Sequence, residues 1–280
     1  MELFRVKQIN EYTWLIGENI RSDFTDTCVL VVGDQKAALI DTGCGLRRLK
    51  EIVRSLTKLP VMVLTTHVHL DHIGGPGVFQ DCEIYASQKE MEAWKKSADR
   101  ERFSKERLDF LHTAVEGQEE LYQEIERQLV RECDFFWRPL KDGMIFDLGS
   151  RTLEACMIPG HTVESFAFVE RESGNAFVGD SVNLTPWIFP EDGTSVEKYG
   201  LAVRRFWEIF PEVQHIYSGH CMRDIGVQTI ADTLKCTEEI LTGVDDLETE
   251  CYVGKVYEHV TGTVTMFYRK QEENRCTGMN

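Results

Sequence analysis

The segment Thr66-His67-Val68-His69-Leu70-Asp71-His72-Ile73-Gly74-Gly75 places four metal-capable side chains within six residues. It follows directly on the short apolar run from Val61 to Leu64, which suits a buried strand. In extended backbone, residues two apart point the same way, so His67 and His69 form a pair that can bind one ion. The chain must then turn to aim Asp71 and His72 at a second, and Gly74 and Gly75 supply backbone freedom beside that turn. A lone histidine is most often structural, but three imidazoles and a carboxylate buried together are costly unless a metal satisfies them. Any fold for this chain must therefore end a strand here and bring further ligands to that end from elsewhere.

The sequence offers them where other strand-like runs stop. His161 follows Ile158-Pro159-Gly160, Asp180 follows Phe177-Val178-Gly179, and His220 follows Tyr217-Ser218-Gly219. Strand ends on one edge of a sheet are where distant side chains converge, and the preceding glycine lets the backbone approach a compact site. His112, His215 and His259 lie outside these motifs and read as ordinary surface or core histidines.

The rest of the chain supports a mixed sheet covered by helices. Cys28 to Val32 and Ala37 to Ile40 flank a turn at Gly33-Asp34 and predict an antiparallel opening. Leu46, Leu49, Ile52, Val53 and Leu56 recur at helical spacing before Pro60. The stretch from Gln88 to Cys133 is charged, with apolar residues at helical intervals (Phe103, Leu108, Leu111, Val115, then Leu121, Ile125, Leu129), and predicts two or three helices with a solvated face. Thr152 to Ile158, Ser165 to Glu170 and Ala176 to Val178 are strand-like, the last two forming a hairpin. Tyr199, Val203, Phe206, Trp207 and Phe210 share a helical stripe, and a second helix runs from Val227 to a stop near Gly243. Cys251 to Tyr268 is β-prone, and the last dozen residues are expected to fray. With no repeat or low-complexity linker, the 280 residues read as one domain.

Charge and cysteine usage narrow the function. A net charge of −16 repels a polyanion over most of the surface, which opposes a nucleic-acid partner. The nine cysteines are odd in number and include no C-x-x-C pair, which suits reduced thiols in the cytoplasm. Met1 to Gly17 shows no signal-peptide pattern, and no apolar run approaches the ~20 residues of a membrane span.

The His-x-His-x-Asp-His run, with Asp41-Thr42-Gly43 after a strand, Pro159-Gly160-His161-Thr162, Asp180 and His220, resembles the metallo-β-lactamase-fold superfamily and its glyoxalase II and lactonase branches, over about Leu3 to Arg223. The resemblance implies an α/β fold, a four-layer αββα sandwich with a dinuclear metal site at one edge. It implies that His67, His69 and His161 hold the first metal and Asp71, His72 and His220 the second, with Asp180 bridging and Asp41 supporting from behind. His72 and His161 are 89 positions apart, longer than in compact members, and the excess falls on a helical insertion at about 88–138. That insertion is either a lid over the substrate entrance or an element of packing or dimer contact. Cys221 sits beside His220, but Asp180 already fills the acidic position, so Cys221 is not counted as a ligand.

Imidazole and carboxylate donors suit two divalent ions, Zn²⁺ best, with Fe or Mn also compatible. Two such ions sharing a hydroxide lower the pKa of water from about 15.7 toward about 7 and polarise a carbonyl oxygen. The expected activity is therefore hydrolysis of a small-molecule ester, thioester, lactone or lactam, with Asp71 as the catalytic proton carrier. Asn183, Trp187 and Phe189 follow Asp180 closely and are candidates to line the substrate pocket. The competing classes are a mononuclear iron oxygenase of the persulfide dioxygenase kind, a phosphodiesterase of the same fold and a non-catalytic binding protein. The expected partner is a small molecule, with no nucleic acid and no membrane, and a homo-oligomer is left open.

Overall fold

The computed structural model describes residues 3–20, 25–95, 105, 108–109, 111–113, 115, 117–130, 135–243, 246–251 and 253–270. Its first sheet has seven strands in chain order: β1 (Phe4–Asn10), β2 (Thr13–Glu18), β3 (Asp26–Val32), β4 (Ala37–Ile40), β5 (Val61–Leu64), β6 (Glu83–Ser87) and β7 (Arg138–Leu140). The second has five: β8 (Ile145–Asp147), β9 (Thr152–Met157), β10 (Phe166–Glu170), β11 (Asn175–Gly179) and β13 (His215–Ser218). A third, smaller sheet joins β12 (Trp187–Ile188), β14 (Glu248–Cys251), β15 (Gly254–Thr261) and β16 (Val264–Tyr268). The described helices are α1 (Arg48–Leu56), α2 (Gln88–Lys95), α3 (Glu119–Gln128), α4 (Val196–Ile209) and α5 (Gln228–Thr242).

Alternation along the strands builds the layers. In a strand, neighbouring side chains face opposite sides, so a run apolar throughout must be covered on both faces. Val29, Val31, Ala38, Ile40, Met62 and Leu64 point inward against Phe146, Leu153, Phe166, Phe168 and Phe177 of the second sheet. Their neighbours Cys28, Leu30, Ala37, Leu39, Val61 and Val63 point outward onto Leu49 and Val53 of α1. In the second sheet, Ala167, Val169, Ala176, Val178 and Ile216 face Tyr199, Val203 and Phe206 of α4 and Ile230 of α5. The result is helix, sheet, sheet, helix, as expected.

Strand direction then places the site. β4, β5, β6 and β7 run parallel, and in the second sheet β9, β11 and β13 share one direction with β10 reversed between β9 and β11. The loops leaving β4, β5, β9, β11 and β13 carry Asp41, His67, His161, Asp180 and His220, and Phe166 N–H donates to the Thr66 carbonyl across the two sheets at 2.8 Å. Strands β6, β7 and β8 carry no clear periodic signal, because each has five residues or fewer and bears charge at Glu83, Arg138 or Asp147. Of the last dozen residues, which are expected to fray, 271–280 lie outside the described residues, while Arg269 N–H bonds the Ile188 carbonyl at 3.2 Å.

The insertion is tied into the helical layer. Leu111, Val115 and Ile125 are buried in the cluster that contains Leu49 and Val53, whereas Leu108 is 43% exposed. Phe103 lies outside the described residues. Truncating the apolar stripe therefore tests packing before it tests substrate entry. We expect Leu111→Ala to lose about 2–5 kcal/mol in denaturant unfolding and Leu108→Ala less than about 0.5 kcal/mol. Equal, small losses would contradict the packed assignment.

Candidate metal centre

β5 ends at Leu64, and Thr65 N–H bonds the Tyr85 carbonyl of β6 at 2.9 Å, holding the chain extended as it leaves the sheet. His67 and His69 lie on this extended exit, their ring centroids 4.6 Å apart. The chain then turns, with His72 N–H and Ile73 N–H both donating to the His69 carbonyl at 3.0 and 2.9 Å. His161 Nε2 comes to 3.0 Å from His69 Nδ1 across 92 positions of sequence.

The ligand atoms fall into overlapping groups, each within 4.8 Å: His67, His69 and His161; His67, His72 and Asp180; and Asp71, His72 and His220. Asp180 lies between the first and last of these. Its Oδ2 is 3.0 Å from His220 Nε2, 3.6 Å from His161 Nε2 and 3.7 Å from His72 Nε2. Gly219 permits this crowding, since a Cβ there would stand 2.6 Å from the His72 ring and 2.8 Å from Asp180 Oδ1. His67 Nε2, His72 Nε2 and Asp180 Oδ1 are buried with no hydrogen-bond partner among the described residues. Buried polar atoms are nearly always satisfied, so atoms aimed at a common point without partners fit a metal ion there.

The imidazoles are oriented from behind. Thr66 Oγ1 is 3.0 Å from His67 Nδ1, Asp41 Oδ2 is 2.8 Å from His72 Nδ1, and the Trp187 carbonyl is 3.0 Å from His161 Nδ1. Asp26 Oδ1 faces His220 Nδ1 at 3.4 Å. Tying Nδ1 leaves Nε2 free to face inward, and His69 presents Nδ1 instead. Asp41 also accepts from Thr66 N–H and Oγ1–H at 2.7 and 2.8 Å. It does so from a left-handed backbone (φ 63°), which is the one such non-glycine residue among those described. That strain of about 1–3 kcal/mol is held by the surrounding bonds.

A family model described as the metallo-beta-lactamase superfamily matches residues 23–220. The chain belongs to this superfamily. Acyl-coenzyme A thioesterase MBLAC2 of Gallus gallus is 26% identical over 214 residues, which cover 68% of this chain and 70% of that protein. Hydroxyacylglutathione hydrolase GloC of Haemophilus influenzae is 30% identical over 162 residues, or 56% of this chain and 66% of that protein. The solved structure of a metallo-beta-lactamase from Pontibacter korlensis superposes with a TM-score of 0.61 at 16% identity, covering 84% of this chain and 99% of that one. These relatives place the chain among the hydrolases of the metallo-beta-lactamase superfamily.

Within this metallo-beta-lactamase fold, other sequence candidates sit differently. Trp187 reaches the centre through its carbonyl, while its ring packs on Phe189 at 5.7 Å and Phe267 at 6.2 Å. Asn183 Oδ1 accepts from Thr185 N–H at 2.7 Å, a local turn contact. Phe189 is buried beneath Arg269, and Cys221 packs on the helix-layer core. Among the outlying histidines, His215 pairs with Asp224 at the surface and His259 is buried between Asp246 and Glu239. A further buried set, Glu18, Asp26 and Cys44, is held by its own bonds, with Cys44 Sγ–H donating to Asp26 at 3.1 Å and Cys44 N–H to Glu18 at 2.8 Å. Asp26 and Thr66 carry no signal of a site role in the sequence, because a polar residue at a strand start or just past a strand end ordinarily serves a turn.

The protonation pattern divides the centre. Burial holds the His67 imidazole well below its ordinary range, and burial with the neighbouring His161 brings His69 down to about 3. Burial also pushes His72 and His220 down, but Asp71, Asp41 and Asp180 around His72, and Asp180 with Asp26 and Asp71 around His220, outweigh it. His72 is raised well above its ordinary range and His220 to about 10. A group with a raised pKa carries its proton at neutral pH, and a cation must displace that proton to bind. We therefore expect loading of the metal-free protein at pH 7 to release up to two protons, with affinity at the His72–His220 side rising with pH. Titration calorimetry in two buffers of different ionisation enthalpy checks this, and zero proton release would refute it.

Proposed function

We propose that the chain hydrolyses small-molecule thioesters with two divalent ions, Zn²⁺ as the best match to an imidazole and carboxylate donor set. The observation that carries the reading is Asp180, whose one oxygen lies within 3.0–3.7 Å of three imidazoles belonging to two separate ligand groups. A thioester substrate is supported by the acyl-coenzyme A thioesterase and hydroxyacylglutathione hydrolase relatives. The free state of every described cysteine supports a reducing compartment, for which we propose the cytoplasm. No helix among the described residues is long and apolar enough to cross a membrane. The apolar clusters that join helices and sheets support reading the chain as one domain with its insertion at about 88–138.

Bound here, the ions would supply a water acidic enough to attack at neutral pH and an electrophile for the carbonyl oxygen. The side chains do the rest. Thr66, Asp41 and the Trp187 carbonyl fix the tautomer and tilt of three imidazoles and Asp26 faces the fourth, so the donor atoms are in place before substrate arrives. Asp71 is the more accessible carboxylate, 16% exposed against 9% for Asp180, with Oδ2 3.7 Å from His220 Nε2 and 3.8 Å from His72 Nε2. Its exposure and its distance from the imidazoles support the reading in which Asp71 would take a proton from the attacking water and return one to the leaving thiolate.

Elemental analysis of protein purified without chelator should give about two metals per chain, and a panel of thioesters, lactones, β-lactams and phosphodiesters should show turnover of thioesters. One tightly held iron with dioxygen consumption, or turnover confined to another class, would overturn the reading. Asp71→Asn should keep most of the metal and lose about 10²–10⁴-fold in kcat. Unchanged turnover would remove Asp71 from its role.

A further inference from the structure

Glu90 lies in the first turn of α2, at the root of the insertion, and is only 8% exposed although Lys89 beside it is exposed. A carboxylate is buried at such a position only when it is fully bonded. Its Oε2 accepts from Val68 N–H at 2.9 Å. Its Oε1 accepts from Thr162 Oγ1–H at 2.5 Å and from Glu164 N–H at 2.9 Å. Val68 is the residue between His67 and His69, and Thr162 is the residue after His161. One side chain thus grips both loops that carry the His67, His69 and His161 group, across 74 positions of sequence on the Glu164 side. The grip is itself braced. Ser87 Oγ donates to Glu164 Oε2 at 2.7 Å and accepts from Glu90 N–H at 3.2 Å, and Lys89 N–H donates to the same Glu164 oxygen at 3.2 Å.

We propose that Glu90 is a positioning residue for this half of the centre, holding the two loops at the separation that lets three imidazoles share one ion. The inference rests on the metal-centre reading given under Proposed function. The geometry favours this role over simple capping. The Val68 amide sits between the two paired histidines, so fixing its peptide fixes the angle between their side chains, and metal sites tolerate errors of only about 0.5 Å. The insertion therefore contributes to the centre through its root, whatever its outer residues do.

The test measures Zn²⁺ affinity of the metal-free protein by competition with a chromophoric chelator, together with thermal unfolding of the same samples. Glu90→Gln leaves an amide in which only one oxygen accepts, so one of the three donors loses its partner. We expect Zn²⁺ affinity to fall about 10- to 100-fold for one of the two ions. Thr162→Val removes one of the bonds and should lower the same affinity by less. Glu170→Gln is the structural control. Glu170 is fully buried at the far end of β10, bonded to Arg151, Ser173 and Asn175. It should lower the unfolding temperature and leave Zn²⁺ affinity within about twofold. Glu90→Gln that lowers the unfolding temperature but binds Zn²⁺ like wild type would overturn the proposal. If Glu90→Gln does not fold, wild-type affinity in Thr162→Val overturns it equally. Loss of the function reading registers elsewhere: wild type that binds two Zn²⁺ yet hydrolyses no thioester sinks that reading and leaves this one standing.

Discussion

The carboxylate of Asp41 is the contact on which the arrangement turns. It closes the end of β4 onto the loop leaving β5, Oδ1 accepting from Thr66 N–H and Oδ2 both accepting from Thr66 Oγ1–H and holding Nδ1 of His72. Its left-handed backbone bends the chain sharply enough for Thr42 N–H to reach the His72 carbonyl at 2.8 Å and for Gly74 N–H to reach the Gly43 carbonyl at 2.9 Å. Two adjacent parallel strands thereby deliver their exits to one compact patch. Without that closure, His67 and His72 would leave the sheet as independent loop residues, with no reason for their rings to meet at 4.0 Å.

The opposite wall comes from the second sheet, and the two walls are joined by charge as much as by packing. Asp180 stands against His72 and His220, and Asp26 stands behind His220 while Thr27 N–H bonds the Gly219 carbonyl at 2.6 Å. Burial pushes the Asp180 carboxyl up, but His220 and His72 outweigh it and hold it well below its ordinary range. Burial of like ligands would otherwise be prohibitive, so the carboxylates and imidazoles neutralise one another until a cation takes the place of the protons.

Much of the site was legible because its signals are local. Three histidines and an aspartate in a six-residue run carry their meaning in spacing alone, and the glycine before Asp180, His161 and His220 marks each strand exit. The strands rich in Val, Ile, Phe and Ala were equally plain, since runs apolar on both faces demand cover on both sides. Glu90 was not legible: in a stretch dense with charge, its composition is that of a solvated helix face, and only its partners distinguish it from exposed Glu92. Asp26 and Thr66 are hidden as polar residues at a strand start and just past a strand end, whose partners lie far along the chain.

The order of residues alone points to the candidate donor set, the strand exits that carry it and the two-sided burial that makes a sandwich of the sheets. Those follow from period, spacing and side-chain chemistry, which act over a few residues. The packing of distant segments sets which nitrogen each imidazole presents, how close Asp180 stands to His72, His161 and His220 at once, and that the root of the insertion bonds both histidine-bearing loops. Most of these depend on contacts between residues 26 to 92 positions apart, from His161–Trp187 to His161–His69, and no local pattern sets such distances. They are fixed by how two twisted sheets pack through the Phe166, Phe168 and Phe177 layer, a sum of many weak contacts.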